Sequence, residues 1–60
     1  MTPHHYLVQK RVERAQSLLA QSDRTLSEIA LTAGFADQSH LTRRFRQVVG
    51  ITPSEFRRSH

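Results

Sequence analysis

Apolar residues recur at helical spacing in the first third of the chain. Four of them follow one another at intervals of three or four residues: Val8, Val12, Ala15 and Leu19. They form one stripe of a helix, and Leu7, Arg11 and Leu18 form a second stripe beside it. The combined apolar arc is about 140° wide, which is broad for a helix with a single packing neighbour. The pattern predicts a long helix over Pro3–Gln21.

Three further helices are predicted downstream of a polar break at residues 22–24. The first covers Leu26–Ala33, with an apolar face of Leu26, Ile29, Ala30 and Ala33. Phe35 follows and is expected in the core. The next covers Gln38–Val49, with a predicted buried face of Leu41, Phe45, Val48 and Val49. The last is short, covers residues 53–58 and is anchored by Phe56.

Glycine, proline and capping residues mark the ends of these helices. Pro3 and Pro53 each follow a threonine, as in an N-cap followed by the first helical position. Gly34 and Gly50 each follow an apolar-periodic stretch, where a helix C-cap commonly takes a positive φ. Other predicted caps are the Thr25-x-x-Glu28 and Thr52-x-x-Glu55 capping boxes and the side chain of Asp37.

A chain of 60 residues without cysteine forms one small domain that no disulfide stabilises. Helices with local contacts suit such a chain, so the predicted fold class is all-α, a small helical bundle. Four aromatic residues are expected in its core: Tyr6, Phe35, Phe45 and Phe56. The order of short helix, glycine turn and longer helix is that of a helix-turn-helix.

The charge balance favours a polyanionic partner. Nine Lys and Arg residues against five Asp and Glu give a net charge of +4, which suits nucleic acid first and an acidic membrane second. No apolar run approaches the roughly 18 residues needed to span a bilayer, and no signal peptide is recognised. A cytoplasmic protein is therefore expected. Enzyme activity is not expected in so short a chain.

The side of the third predicted helix opposite Leu41 carries hydrogen-bonding residues. Arg43 lies about 200° from Leu41 on a helical wheel. Its neighbours on this side are Ser39, His40, Thr42, Arg46 and Gln47. In a major groove, Gln pairs bidentately with adenine and Arg with guanine. Such a side is often only solvated, but the absence of carboxylates from residue 38 to 54 and the clustered arginines favour contact with bases.

Histidine and acidic residues do not form a metal or catalytic pattern. The histidines are His4, His5, His40 and His60. None of them forms an i, i+4 pair, and no acidic cluster lies beside them. Asp37, Ser39 and His40 share a helix start, but their spacing does not bring them together as a catalytic group. No metal and no cofactor are predicted.

One short pattern occurs twice in the chain. Residues 1–6 and 51–56 share the order apolar, Thr, Pro, two residues and aromatic. If the pattern marks a repeat, the chain opens at the tail of one unit and contains a second unit whole.

The segment over residues 26–57 resembles the second helix-turn-helix of the AraC/XylS family of bacterial transcription regulators. The matching residues are Ile29, Ala30, Ala33-Gly34-Phe35, Gln38-Ser39-His40-Leu41-Thr42-Arg43, Phe45-Arg46, Gly50 and Thr52-Pro53-x-x-Phe56-Arg57. Upstream, the residues that resemble the family's linker helix are Tyr6-Leu7, Arg11-Val12, Ala15 and Leu18-Leu19. Thr2-Pro3-x-x-Tyr6 resembles the end of the family's first helix-turn-helix.

The resemblance implies double-stranded DNA as the partner, with the helix Gln38–Val49 in a major groove. The residues that it brings closest to base edges are Gln38, Ser39, Thr42 and Arg43. Those at the margin or facing phosphates are His40, Arg46, Lys10, Arg11, Arg44, Arg57 and Arg58. For Arg11 and Arg44, packing of the aliphatic stem against the core is an equal alternative.

The resemblance also implies an organisation in two parts. Residues 1–22 correspond to the tail of a first module plus the linker helix, and residues 23–60 to the second module. The rest of the first module and the effector-binding domain are absent from this chain. Leu31 lies off the apolar face of its helix. It is either an ordinary exposed leucine or a contact with the first module or RNA polymerase.

Two other functions stay open at this point. A helical module could use its basic face to bind an acidic protein. A cationic peptide could lie on a membrane surface, but that would require an apolar face left open in the folded state.

Overall fold

The computed structural model describes residues 3–59, with side chains from residue 5 onward. Four helices form this part of the chain: α1 (Pro3–Gln21), α2 (Leu26–Ala33), α3 (Gln38–Val49) and α4 (Pro53–Ser59). The predicted all-α class and all four helices are confirmed, and α4 runs one residue beyond its predicted end. The cap predicted at Thr2 lies outside the described residues.

Side-chain caps fix the starts of α2 and α3. Thr25 Oγ1 accepts a hydrogen bond from Glu28 N at 3.2 Å, and Glu28 Oε1 accepts one from Thr25 N at 3.5 Å. This reciprocal pair is the predicted capping box. At the start of α3, Asp37 Oδ1 accepts from His40 N at 2.8 Å, as predicted. Both caps satisfy amides that a helix N-terminus leaves without intrahelical partners.

A glycine in the left-handed conformation ends each of these two helices. Gly34 has a φ of 99° and donates its N–H to Leu31 O at 3.2 Å, while Phe35 N donates to Ala30 O at 2.8 Å. Gly50 has a φ of 97° and donates to Arg46 O at 2.9 Å. The turn at Gly34 lets α3 leave α2 at the angle that a helix-turn-helix requires.

Alanine at either glycine is expected to lower the free energy of unfolding by about 1–2 kcal/mol, because a residue with a Cβ is strained at this φ. The loss should be larger for Gly34→Ala. A Cβ there would lie 3.1 Å from Arg11 Nε. At Gly50, apart from the glycine and its two chain neighbours, no heavy atom of residues 3–59 would lie within 4 Å of the Cβ. Urea unfolding of both variants measures the difference. Equal losses would show that Arg11 moves aside without cost.

The core lies where α1 crosses the other three helices. Its fully or nearly fully buried members are Val8, Val12, Ala15, Leu19, Ile29, Ala30, Ala33, Phe35, Leu41 and Phe45. Around them pack the half-buried Leu18, Leu26, Val49 and Phe56. Phe56 meets Phe45 edge to face, with ring centroids 5.6 Å apart. This contact joins α4 to α3.

Two residues expected in the core are exposed. Tyr6 is 52% exposed, because it precedes the buried Val8 by two residues, which is about 200° around the helix, and so lies on the opposite side of α1. Lys10 Nζ lies 5.5 Å from the centre of the Tyr6 ring. Val48 is 44% exposed, because it borders a cleft of about 150 Å³ between α1 and the last turn of α3. Both predictions of burial are therefore wrong.

A second capping box starts α4. Thr52 N and Thr52 Oγ1 donate to Glu55 Oε1 at 3.1 and 2.9 Å, and Glu55 N donates to Thr52 Oγ1 at 3.2 Å. The hydrogen bond from the backbone N–H of Thr52 is the largest cause that lowers the pKa of Glu55 below its ordinary value of 4.5, and the hydrogen bond from the Thr52 hydroxyl is the second. The charges of Arg46 and Arg58 lower this pKa further. The carboxylate form is the one that caps the helix.

A lowered pKa in the folded state means that the Glu55 carboxylate stabilises the fold above its unfolded pKa, and that this contribution disappears as the pH falls through the folded pKa. The expected result is that the native chain loses stability relative to Glu55→Gln as the pH drops below 4.5. Glutamine keeps the capping geometry without titrating. Thermal unfolding of both proteins at several pH values measures this, and parallel curves would contradict it.

None of the helices formed by residues 3–59 has the length and apolar character needed to cross a bilayer.

Candidate nucleic-acid interface

The outer side of α3 is a continuous hydrogen-bonding surface. Leu41 and Phe45 are fully buried and anchor the inner side of the helix. Opposite them lies an open, shallow depression lined by Gln38, Ser39, Thr42, Arg43, Arg46 and Gln47. We call these six residues the outer face. The structure thus brings together all four residues predicted to contact bases, with Arg46 beside them.

Helix α2 braces the outer face from one side. Ala30 and Ala33 are small and buried, so the two helices approach closely. Ser27 Oγ on α2 donates to Gln38 Oε1 on α3 at 3.2 Å. The first side chain of the outer face is therefore held by the neighbouring helix.

His40 lies at the margin of the outer face, half-buried between the turn and the helix. Its Nδ1 accepts from Ala36 N at 3.5 Å, and its ring meets Phe35 edge to face with centroids 5.5 Å apart. An Nδ1 that accepts a hydrogen bond leaves the proton of the neutral ring on Nε2. His40 thus stiffens the turn and can donate from its other nitrogen.

The remaining predicted phosphate contacts are spread over three helices. Lys10 forms an ion pair with Glu13 at 3.5 Å on the exposed side of α1. The side chain of Arg11 lies against the Gly34 turn, which agrees with the alternative of a packed stem. None of these side chains lines the outer face.

Two arginines predicted as phosphate contacts have partners within the fold. Arg57 Nε and Nη2 donate to Leu19 O at 3.5 Å and Ser22 O at 3.3 Å, so Arg57 caps the C-terminal end of α1. Arg44 is half-buried, and its Nη1 donates to Gln47 Oε1 at 3.1 Å. Arg58 is exposed on α4. Phosphate contact by these three residues stays a prediction.

Sequence reasoning placed Gln47 on the outer face without giving it a role. It follows Arg43 by four residues and so shares its stripe of the helix, which was the available signal. The link from Arg57 to the carbonyls of α1 had no signal, because it joins residues that are 35 and 38 positions apart.

Among residues 3–59, no three His, Cys, Asp or Glu side chains form a group that could hold a metal ion. Each outer-face side chain carries a hydrogen-bonding group, and none is acidic. The fold and this surface define a helix-turn-helix domain, a class in which the second helix of the pair contacts nucleic acid.

Comparison with known proteins agrees with this class. A family model described as a helix-turn-helix domain matches residues 1–59, and the chain belongs to this family in its AraC type. It is 40% identical over 57 residues to the HTH-type transcriptional activator RhaS of Escherichia fergusonii, and 36% identical over 56 residues to the probable transcriptional regulator LumQ of Photobacterium leiognathi. These matches cover 95% and 93% of the chain but only 20% and 23% of the relatives. The chain thus spans about a fifth of their length.

Two solved structures share the fold. The DNA-binding domain of the global transcriptional factor AdpA, solved in complex with a target DNA, superimposes with a TM-score of 0.95 at 34% identity, over 98% of this chain and 53% of that one. The C-terminal domain of the response regulator yesN from Fusobacterium nucleatum gives 0.91 at 35% identity, over 95% and 55%. The predicted resemblance to AraC-type regulators is confirmed.

Proposed function

We propose that the chain binds double-stranded DNA sequence-specifically and serves transcription regulation. In this proposal α3 enters a major groove, and Gln38, Ser39, Thr42 and Arg43 contact base edges. The observation that carries it is the outer face: a continuous row of donors and hydroxyls on a helix that the fully buried Leu41 and Phe45 anchor to the core. The likeness to the DNA-binding domain of AdpA supports the same partner.

The dimensions of α3 suit this role. A major groove about 12 Å wide admits one α-helix, whose diameter with side chains is about 10–12 Å. The 12 residues of α3 extend about 18 Å, enough to pass across the groove. Since the outer face carries no carboxylate, its approach to the phosphate backbone meets no like-charge repulsion.

Basic residues outside the base contacts would fix the register on phosphates. We assign this role to Arg46 and Arg58, which are exposed, and to His40 at the margin. Lys10, Arg44 and Arg57 have partners within the fold, so DNA would have to compete for them or share them. The side chain of Arg11 lies against the Gly34 turn.

The proposal includes the two-part organisation. Residues 1–22 would hold the tail of a first module and the linker helix, and residues 23–60 the second module. In support, α1 contacts the three other helices while Tyr6 and Leu7 on it stay exposed. Leu31, which is 66% exposed, is the residue we would test for contact with RNA polymerase. Residence in the bacterial cytoplasm, on the nucleoid when bound, belongs to the same proposal.

The test is selection of duplexes from a randomised library with this chain, followed by fluorescence anisotropy at several salt concentrations. We expect the selected duplex to bind at least about tenfold more tightly than a scrambled one. The logarithm of the binding constant should fall linearly with that of the salt concentration. Equal, weak binding of all duplexes, in the range of about 10⁻⁴–10⁻⁶ M, would favour a protein-interaction module instead.

A further inference from the structure

Both glutamines of the outer face are exposed, and the side-chain oxygen of each accepts a hydrogen bond from another side chain of the protein. Arg44 Nη1 donates to Gln47 Oε1 at 3.1 Å, and Ser27 Oγ donates to Gln38 Oε1 at 3.2 Å. The two glutamines lie near opposite ends of α3 and have different partners, on α3 itself and on α2. In both contacts the amide oxygen is the acceptor. The Ser27 hydroxyl donates in this arrangement but also has acceptor lone pairs, so the contact with Arg44 constrains its glutamine more strongly.

The chemistry of Arg44 fixes the orientation of the Gln47 amide. A guanidinium has five N–H donors and no acceptor, so only the oxygen of an amide can face it. The amide nitrogen of Gln47 then points away from Arg44. Because Gln47 also lines the depression on the outer face, its NH₂ group is the part available to a ligand there.

Neighbouring residues of α1 and α3 partly enclose Arg44. Its side chain is half-buried, and its Nε is buried and makes no hydrogen bond within residues 3–59. Together with Val8 and Val48 it borders the cleft between α1 and α3. In a DNA interface from which water is excluded, turning the Gln47 amide over would leave a donor of Arg44 without its acceptor, which is costly.

An amide whose oxygen already accepts a hydrogen bond from the protein presents mainly its N–H donors to a base, and this selects among base edges. Guanine presents two adjacent acceptors, N7 and O6, in the major groove. Adenine presents N7 beside the N6 amino donor, and its bidentate pair with glutamine requires the amide oxygen as well as the nitrogen. Cytosine presents only a donor. Guanine is therefore favoured, adenine disfavoured and cytosine disfavoured most.

We propose that Gln47 is a further base-contacting residue and that Gln47 and Gln38 both select guanine, with Arg44 and Ser27 as the residues that position them. The proposal rests on the function proposed above and makes it more specific. It disfavours the pairing with adenine that glutamine alone would suggest, since the adenine amino group would have to share each amide oxygen with its partner in the protein.

The first experiment identifies the base pair that each glutamine contacts and then changes the base preferred at the Gln47 position. Duplex selection with Gln38→Ala and Gln47→Ala identifies the position at which each variant loses base preference. Guanine should be preferred over adenine at both positions in the native chain, by about fivefold or more. Gln47→Glu offers only acceptors, and its carboxylate can still pair with Arg44. It should change the preference at its position from guanine to cytosine.

The second experiment tests the two positioning residues against each other. Arg44→Met keeps an unbranched stem but frees the oxygen of Gln47, so the guanine-to-adenine ratio should fall about fivefold at the Gln47 position alone. Ser27→Ala should produce the same fall at the Gln38 position alone. Ser17→Ala, on the exposed side of α1, is the matched control and should change neither ratio. Removing the charge of Arg44 could also weaken binding to all duplexes equally. That effect would not change the guanine-to-adenine ratios, so the ratios report the orientation of the amide alone.

The outcomes separate this inference from the proposed function. The inference is overturned if the native chain prefers adenine at either position, or if Gln47→Ala selects the same bases as the native chain. A base preference that is lost in Arg43→Ala would still support the proposed DNA recognition. The inference also fails if both ratios stay constant in Arg44→Met and Ser27→Ala. A flat profile at every position overturns both proposals.

Discussion

Replacing Phe45 with alanine is expected to remove a large part, or all, of the free energy of unfolding of this chain. Phe45 is fully buried, lies in the middle of α3 and packs against Phe56 of α4. Truncating a buried phenylalanine costs about 3–5 kcal/mol. A chain of 60 residues has a total stability of only about 3–9 kcal/mol at typical values per residue. The substitution therefore removes between about a third and all of this free energy of unfolding.

Circular dichroism at 222 nm during urea unfolding measures this loss. Val48→Ala is the matched control, since Val48 lies on the same helix but is 44% exposed. We expect it to cost less than about 1 kcal/mol. If Phe45→Ala unfolded at nearly the same urea concentration as the native chain, the packing of Phe45 in the core would not be what stabilises α3.

Replacing Arg43 with alanine is expected to weaken binding to the selected duplex by about 5- to 150-fold, which corresponds to about 1–3 kcal/mol. Arg43 lies on the outer face, opposite the buried Leu41, and its guanidinium can pair bidentately with guanine N7 and O6. Loss of that pair should also relax the base preference at one position. Binding to scrambled duplexes should weaken much less.

Arg14→Ala is the control for the loss of one positive charge, because Arg14 is exposed on α1 and does not line the outer face. It should weaken selected and scrambled duplexes alike, and only slightly. Anisotropy titrations of both variants against both duplexes give the comparison. If Arg43→Ala behaves as Arg14→Ala does, Arg43 contributes charge and does not recognise a base.

Local signals in the sequence predicted the helices of this fold. The Thr25–Glu28 box, the Asp37 cap and the two glycines each act within a few residues of their own position, so their effect follows from the sequence alone. Burial in the middle of the helices followed from the 3.6-residue period. The prediction failed at Tyr6, which lies about 200° around α1 from the buried Val8, and at Val48, which borders the cleft between α1 and α3.

The composition of the outer face was predictable for the same reason. A helical wheel places Arg43 and Gln47 on the surface once Leu41 and Phe45 are known to be inside. Gln38 lies only about 60° from Leu41 on the same wheel, so its place on the outer face followed from the resemblance and not from the wheel. The orientation of each side chain was not predictable. It depends on contacts such as that of Ser27 with Gln38 or Arg57 with the carbonyls of α1, which join different helices across the folded chain.

The inner and outer sides of α3 share no residue, and this separation has a consequence for how such domains diverge. Variants at Ser39, Thr42 and Arg43 would alter the preferred operator while leaving the hydrophobic packing of Leu41 and Phe45 untouched. The two glutamines are the exception, since each is tied to a partner. A change at either one should therefore be accompanied in evolution by a compensating change at residue 27 or 44.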